Sequence, residues 1–224
     1  MIVTVVGGGR SGTNLTLEMM RGHSYFTASD VIEDKALFAR EGMLKSGYLS
    51  KCDTWYCRSY EFLDRLMKMN SYIKMLFTIR HPYDMCLSKL YRGKGLADDS
   101  SIEGCIADMY HMYILYKRGI KTFPNDILLV KMEDVILDIE KEARRICDWL
   151  PLKFEKPMLT PHKRMRDKEK KKRYSALDKN QIDMWKNWKE IHDGFFTENK
   201  IDMEWLFDMV DPMVEYFRYE KRNK

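Results

Sequence analysis

The sequence lacks the features that mark several large classes of protein. Its five cysteines form no Cys-x-x-Cys pair and stand beside no clustered histidines, so neither a disulfide framework nor a zinc site is indicated. No apolar run approaches the roughly 18 residues needed to cross a membrane. The apolar start, residues 1–6, has no basic leader and runs directly into glycines, unlike a signal peptide. We therefore expect a soluble protein of the cytoplasm with reduced thiols.

The chain also lacks a large excess of charge of one sign. Lys and Arg number 39 against 34 Asp and Glu, which gives a formal net charge of +5. This mild positive balance suits a small anionic ligand, and it is too weak to predict a nucleic-acid partner. The composition, 45% hydrophobic and 33% charged, excludes a disordered or fibrous chain. A length of 224 residues predicts one domain over residues 1–224.

Three short apolar runs predict strands that are buried in a parallel sheet. They cover residues 2–6, 72–79 and 127–131, and each leads into a helix-like segment. Because strands and helices alternate along the chain, the expected fold class is α/β, a three-layer sandwich with a central parallel sheet.

Two further helices are predicted from local signals. Ser100 and Glu103 have the spacing of a capping box and predict the start of a helix that continues to about Arg118. Residues 139–150 place apolar side chains on one face of the other helix.

The last third of the chain combines a basic segment with a final helix. Residues 162–173 hold eight Lys or Arg side chains and almost nothing apolar, so they are expected to form a mobile loop. The final helix has an apolar side, although Pro212 should bend or restart it. That side consists of Trp205, Leu206, Met209, Val210, Met213, Val214 and Phe217.

The strongest chemical signal lies directly after the first predicted strand. Residues 7–14 read Gly-Gly-Gly-Arg-Ser-Gly-Thr-Asn and lead into a helix-like segment, residues 14–21. Glycines permit positive φ and close backbone approach, so consecutive N–H groups can point into the loop, and the helix N-terminus adds partial positive charge. The sequence therefore predicts an anion-binding loop, with an ordinary glycine-rich turn as the alternative.

The loop departs from the motif of ordinary nucleotide-hydrolysing proteins. Gly7 and Gly12 keep the glycine spacing of GxxxxGK[ST], but Thr13 stands where the lysine should be. The cation of this loop is Arg10, two positions before Gly12. An ordinary kinase or GTPase is therefore disfavoured.

Two segments together resemble the family of sulfotransferases that use 3′-phosphoadenosine 5′-phosphosulfate (PAPS). Residues 10–14 are similar to the start of that family's first motif, (K/R)-S-G-T-(T/N). Residues 80–88 are similar to its second motif, R-x-P-x-D-x-x-x-S, and residues 133–135 to a weaker E-D-L segment. The resemblance spans roughly residues 2–150. It implies a P-loop NTPase-like fold and sulfuryl transfer from PAPS.

The resemblance also implies which residues bind PAPS. The loop would hold the 5′-phosphate and Arg10 the leaving oxygens, while Arg80 and Ser88 would hold the 3′-phosphate. Arg173, in the basic segment, could reach the 3′-phosphate as well. No metal is required when fixed cations neutralise the leaving group. The implied PAPS-binding residues are Gly9, Arg10, Ser11, Gly12, Thr13, Asn14, Arg80, Ser88 and Arg173.

A general base must take the proton of the acceptor. The family usually places a Glu, or in some branches a His, after the first helix. Glu33 is the first candidate in this chain and Asp30 the second. His23 and His111 are further candidates, although His23 fits better as a residue that caps the end of the first helix.

The predicted function is sulfuryl transfer from PAPS to a hydroxyl or amine of a glycan, a small molecule or a protein side chain. One alternative is an atypical P-loop nucleotide or nucleoside kinase, which would need a Walker B carboxylate that no predicted strand clearly supplies. Another is a non-catalytic protein that binds 3′-phosphoadenosine 5′-phosphate (PAP), against which Arg10 argues. A third is a nucleic-acid or anionic-membrane binder acting through residues 162–173, which leaves both anion motifs unexplained.

Overall fold

The computed structural model describes residues 1–28, 46–53, 73–93, 101–164 and 202–221, together with Asp64, Lys68 and Thr197. Within these ranges five strands form one sheet in the order β2-β3-β1-β4-β5, and every neighbouring pair is parallel. The strands are β1 Ile2–Gly7, β2 Thr27–Ala28, β3 Tyr48–Asp53, β4 Ile73–Ile79 and β5 Ile127–Lys131.

Helices cover both faces of this sheet. In the described ranges they are α1 Thr13–Met20, α2 Pro82–Gly93, α3 Ile102–Thr122, α4 Met132–Leu137, α5 Ile139–Trp149 and α6 Met203–Tyr216, with 3-10 helices at Lys156–Leu159 and Pro161–Arg164. One buried cluster joins strand side chains to α2, α3 and α6, and a second joins them to α1, α4 and α5. The predicted three-layer α/β sandwich is confirmed. No helix in the described part of the chain is long and apolar enough to cross a membrane.

The predicted strands are present, and the first lies at the centre of the sheet. All six residues of β1 are buried, and it pairs with β3 on one side and β4 on the other. A strand with helices above and below buries both of its faces, which explains why apolar and polar residues do not alternate in its sequence, IVTVVG. The central position of β1 places the glycine loop, which follows it, in the middle of the carboxyl edge of the sheet.

Two strands were not predicted, and one of them lies directly beside β1. β3 has the sequence YLSKCD, in which Ser50 and Lys51 are both buried. Polar residues inside a parallel strand break the apolar run on which the prediction depended. Residues 48–53 are nevertheless a strand of the sheet, paired in parallel with β1. β2, with two residues, is too short to leave a pattern in the sequence.

The boundaries of α3 differ from the prediction. Its N-cap is Ser101 rather than Ser100, because the N–H of Gly104 donates to the Ser101 Oγ at 3.0 Å. The helix continues to Thr122, past the predicted end at Arg118. Two adjacent serines offered equivalent caps, and the sequence alone did not distinguish them.

The final helix is continuous, so the expected restart at Pro212 is not found. α6 runs through this proline from Met203 to Tyr216. Most of its predicted apolar side is buried, but Trp205 is 38% exposed and does not belong to that side. The N–H of Trp205 donates to the Asp202 side chain at 2.9 Å, so this residue lies in the first turn of the helix.

The start of the basic segment is ordered. Pro161–Arg164 form a 3-10 helix, and the Arg164 Nε donates to the carbonyl oxygen of Glu18 in α1 at 2.9 Å. Residues 162–164 therefore pack on α1 and are not the loop that was expected. Residues 165–173 lie outside the described part of the chain, and a single domain over residues 1–224 stays a prediction.

Close packing after α1 gives a testable effect on stability. A Cβ on Gly22 would lie 2.6 Å from the backbone nitrogen of Met158. We expect Gly22→Ala to lower the free energy of unfolding by about 1–3 kcal/mol, because neither backbone segment can move freely. The measurement is urea unfolding followed by tryptophan fluorescence.

The matched control for this substitution is Gly104→Ala. Gly104 is exposed in the first turn of α3, and alanine there should raise the free energy of unfolding by up to about 1 kcal/mol. Equal effects of the two substitutions would contradict the packing of Met158 against the end of α1.

Candidate active site

The glycine loop between β1 and α1 has the backbone geometry of an anion site. Gly12 has φ +94°, in the left-handed region that glycine adopts without steric cost, and Arg10 also has a positive φ, 75°. The loop closes through the Ser11 N–H, which donates to the Gly8 carbonyl at 3.1 Å. No side-chain hydrogen bond caps α1 among the described residues. The first N–H groups of this helix therefore face the loop without a side-chain acceptor.

The buried hydroxyls of Ser11 and Thr78 connect the glycine loop to strands β1 and β4. The Thr78 Oγ1 donates to the Val6 carbonyl at 3.2 Å, and the Ser11 Oγ lies 2.9 Å from Thr78 Oγ1. A Cβ on Gly7 would lie 2.2 Å from the same Thr78 oxygen, so only glycine fits there. In this structure the hydroxyl of Ser11 is directed into the protein and shapes the loop.

The two predicted anion motifs meet at one hydrogen bond. Arg10, in the loop, donates from Nε to the Oγ of Ser88 in α2 at 2.9 Å. These residues are 78 positions apart in the chain. Two segments that are far apart in the chain therefore lie side by side at the carboxyl edge of the sheet.

Arg80 contributes a second cation to this edge, and its side chain is buried. It directly follows β4, has an exposed fraction of 3% and lies 3.5 Å from the Asp84 carboxylate in the first turn of α2. An exposed surface salt bridge is thereby excluded for Arg80. A buried guanidinium is costly to desolvate, and the ion pair with Asp84 offsets part of that cost.

Lys51 is a third cation near the loop, and the sequence did not identify it. Its Nζ donates to the Asn14 Oδ1 at 3.1 Å, and the residue is only 6% exposed. Lys51 was missed because β3 was missed. The only signal was a lysine within a six-residue stretch whose strand character comes from its neighbours in the sheet.

A comparison with protein families shows which family the chain belongs to. The chain matches the model described as the sulfotransferase family over residues 28–156, which is more than half of its length. The chain belongs to the sulfotransferase family. The match begins after the glycine loop, so the assignment of the loop depends on its own residues and geometry. Membership confirms the predicted enzyme class and disfavours the kinase alternative.

Solved structures confirm the fold of this sulfotransferase. A sulfotransferase domain from the curacin biosynthetic pathway has a TM-score of 0.73 at 15% identity, over 98% of each chain. The sulfotransferase domain of the Synechococcus PCC 7002 olefin synthase has a TM-score of 0.61 at 18% identity, over 82% of this chain and 86% of that one. Mouse sulfotransferase SULT7A1, complexed with PAP, has a TM-score of 0.54 at 15% identity, over 80% of this chain and 65% of that one. None of the curated proteins compared matches the chain.

Of the four candidate general bases of the sulfotransferase, the structure describes only the two histidines. Glu33 and Asp30 lie outside the described residues, as does Arg173. His23 does not fit the role, because its Nε2 donates to the Lys153 carbonyl at 2.8 Å and its Nδ1 accepts the N–H of Tyr25 at 3.1 Å.

With both ring nitrogens engaged, His23 instead joins the turn after α1 to the segment beyond α5. The remaining candidate, His111, is half-buried in α3.

Glu133, from the E-D-L-like segment, lies beside the Arg80 end of the site. One carboxylate oxygen accepts the backbone N–H of His81 at 2.7 Å, and the other accepts the Tyr219 hydroxyl at 2.9 Å. Desolvation raises the pKa of Glu133, while these hydrogen bonds and the charge of Arg80 act against that shift. Desolvation and the nearby Glu133 raise the pKa of Tyr219 well above its usual value. No sequence motif pointed to Tyr219.

Proposed function

We propose that this sulfotransferase takes its sulfuryl group from PAPS and that the edge formed by the glycine loop, β3 and β4 is the PAPS site. The observation that carries the proposal is the hydrogen bond between Arg10 and Ser88, at 2.9 Å. PAPS carries its 5′-phosphosulfate and its 3′-phosphate on one ribose, so groups that bind them must lie close together. A PAP complex is known for SULT7A1, which shares the fold.

The three cations suit an anionic ligand with two phosphates. Arg10 and Lys51 donate to neutral partners, Ser88 and Asn14, in the bonds described above. These hydrogen bonds orient both side chains at the edge of the sheet. We assign the 5′-phosphate to the loop and the start of α1, and the 3′-phosphate to Arg80 and Ser88, with Arg173 as a further contact.

In the proposed reaction the protein stabilises charge and moves one proton. PAPS supplies an activated sulfuryl group that passes in line from a phosphate oxygen to the acceptor oxygen or nitrogen. Arg10 and the loop N–H groups stabilise the negative charge that develops on the departing phosphate, and Lys51 adds to the positive field. Glu33, with Asp30 as the second candidate, takes the proton from the acceptor.

We also propose that the enzyme acts in the cytoplasm. Cys86, Cys105 and Cys147 are free thiols in buried positions, which is the usual state of cysteine in a reducing compartment. Desolvation raises the pKa of the Cys147 thiol to about 11, so it stays protonated and unreactive at neutral pH.

The proposed donor is tested by thermal unfolding with PAP in EDTA. At a concentration about 100 times its Kd, PAP should stabilise the protein by about 2.7 kcal/mol. For a chain of this size that corresponds to a rise in Tm of about 5–10 °C. ATP with magnesium should have a much smaller effect, because Thr13 replaces the lysine of the nucleotide-hydrolysing loop. A larger rise with ATP and magnesium than with PAP would favour the kinase instead.

A further inference from the structure

The segment after α6 returns to the carboxyl edge of the sheet. Arg218 has φ +56°, a left-handed conformation that reverses the chain directly beyond the helix. The reversal is closed by the Tyr219 N–H, which donates to the Val214 carbonyl at 2.9 Å. Residues 218–220, here called the tail, are thereby directed towards the ends of β4 and β5.

The tail is anchored mainly by its tyrosine. The Tyr219 hydroxyl donates to the Glu133 carboxylate at 2.9 Å, and its ring lies 4.9 Å from the His81 ring. The Lys131 Nζ lies 4.2 Å from the centroid of the same ring. The carbonyl of Glu220 accepts from the His81 Nε2 at 3.0 Å, which adds a backbone contact.

These contacts end on the peptide that carries Arg80. Glu133 accepts the His81 N–H at 2.7 Å, and this N–H belongs to the peptide bond between Arg80 and His81. The carbonyl of His81 in turn accepts the N–H of Met85, in the first turn of α2, at 3.0 Å. Glu133 therefore holds the junction at which β4 ends and α2 begins, and both proposed 3′-phosphate ligands extend from that junction.

We propose that Tyr219 is a positioning residue for the 3′-phosphate site, which it serves by holding the Glu133 carboxylate on the His81 N–H. This inference rests on the proposed function, since it takes Arg80 as the 3′-phosphate ligand. A partly buried carboxylate that loses one of its two donors is left with an unsatisfied oxygen, and this cost favours a bond to another nearby donor. Glu133 is hydrogen-bonded to the residue that directly follows Arg80, and the charge of Arg80 acts to lower the pKa of this carboxyl. Without the tyrosine hydroxyl, Glu133 pairs with Arg80 and competes with the 3′-phosphate.

The test compares PAP with AMP, which lacks only the 3′-phosphate, by titration calorimetry. Tyr219→Phe keeps the ring against His81 and Lys131 and removes only the hydroxyl. It should weaken PAP by about tenfold, the loss of one charge-assisted hydrogen bond, and leave AMP unchanged. The matched control is Tyr216→Phe, which removes the hydroxyl of an exposed tyrosine at the end of α6. It should change neither affinity.

A second substitution separates positioning from a loss of folding. Glu133→Gln keeps an acceptor for the His81 N–H but carries no charge that could pair with Arg80. The double variant Tyr219→Phe/Glu133→Gln should therefore recover the wild-type ratio of PAP to AMP affinity. Equal loss of both ligands in Tyr219→Phe, an unchanged ratio, or no recovery in the double variant would overturn the inference. Failure of the wild-type protein to bind PAP would instead refute the proposed function on which it rests.

Discussion

Arg10→Ala should lower single-turnover sulfuryl transfer from PAPS by roughly 10²–10³-fold, the range seen when one preorganised oxyanion donor is removed. The reason is that charge on the leaving phosphate develops in the transition state, so Arg10 contributes more there than in the bound ground state. PAP affinity should fall much less, because the loop N–H groups and Arg80 remain. The measurement is rapid-quench transfer to an acceptor identified among hydroxyl and amine compounds.

Two variants make this result specific. Arg10→Lys keeps the charge without the planar guanidinium, so it should recover part of the rate. Arg144→Ala removes an arginine that is exposed on α5 and paired with Glu140, and it should leave transfer unchanged. A fully active Arg10→Ala enzyme would remove Arg10 from the mechanism.

The second large effect is expected at the other phosphate. Arg80→Ala should weaken PAP by about 10–100-fold, since hydrogen bonds to charged groups contribute about 1.5–3 kcal/mol. AMP has no 3′-phosphate, so its affinity should stay close to that of the wild-type enzyme. The measurement is titration calorimetry with both nucleotides.

Removal of Arg80 also leaves the buried Asp84 carboxylate without this ion pair, which can lower stability. The double variant Arg80→Ala/Asp84→Asn removes the stranded charge and restores folding without restoring PAP affinity. If PAP and AMP lose affinity equally in both variants, Arg80 has only a structural role.

The parts of the fold that the sequence predicted are those whose physical cause is local. β1 is rich in β-branched residues and nearly all apolar because helices cover both of its faces, and the run ends at the glycines of the loop. The apolar face of α5 was likewise predicted, since Ala143, Ile146 and Cys147 follow the helical period and are buried.

The elements that were missed depend on their surroundings. β3 is a strand because it lies between β1 and β2, and its buried Ser50 and Lys51 give it no apolar pattern. Pro212 was expected to bend or restart the last helix, and the restart is not found because α6, packed against the core, runs through this proline.

The residues of the candidate site likewise fall into those that the sequence predicted and those that it did not. The motifs around Arg10 and Arg80 could be identified because each is a short stretch with a fixed spacing. Lys51 and Tyr219 could not, because each reaches the site from a segment that is distant in the sequence and carries no motif. Glu33 and Asp30 stay predictions.

The most direct test of the PAPS site is a crystal structure of the protein with PAP. We expect the 5′-phosphate to accept hydrogen bonds from the first N–H groups of α1 and to lie beside Arg10. The 3′-phosphate should contact Arg80 and Ser88. A PAP molecule bound in the reverse orientation, or at a different part of the sheet, would contradict this account.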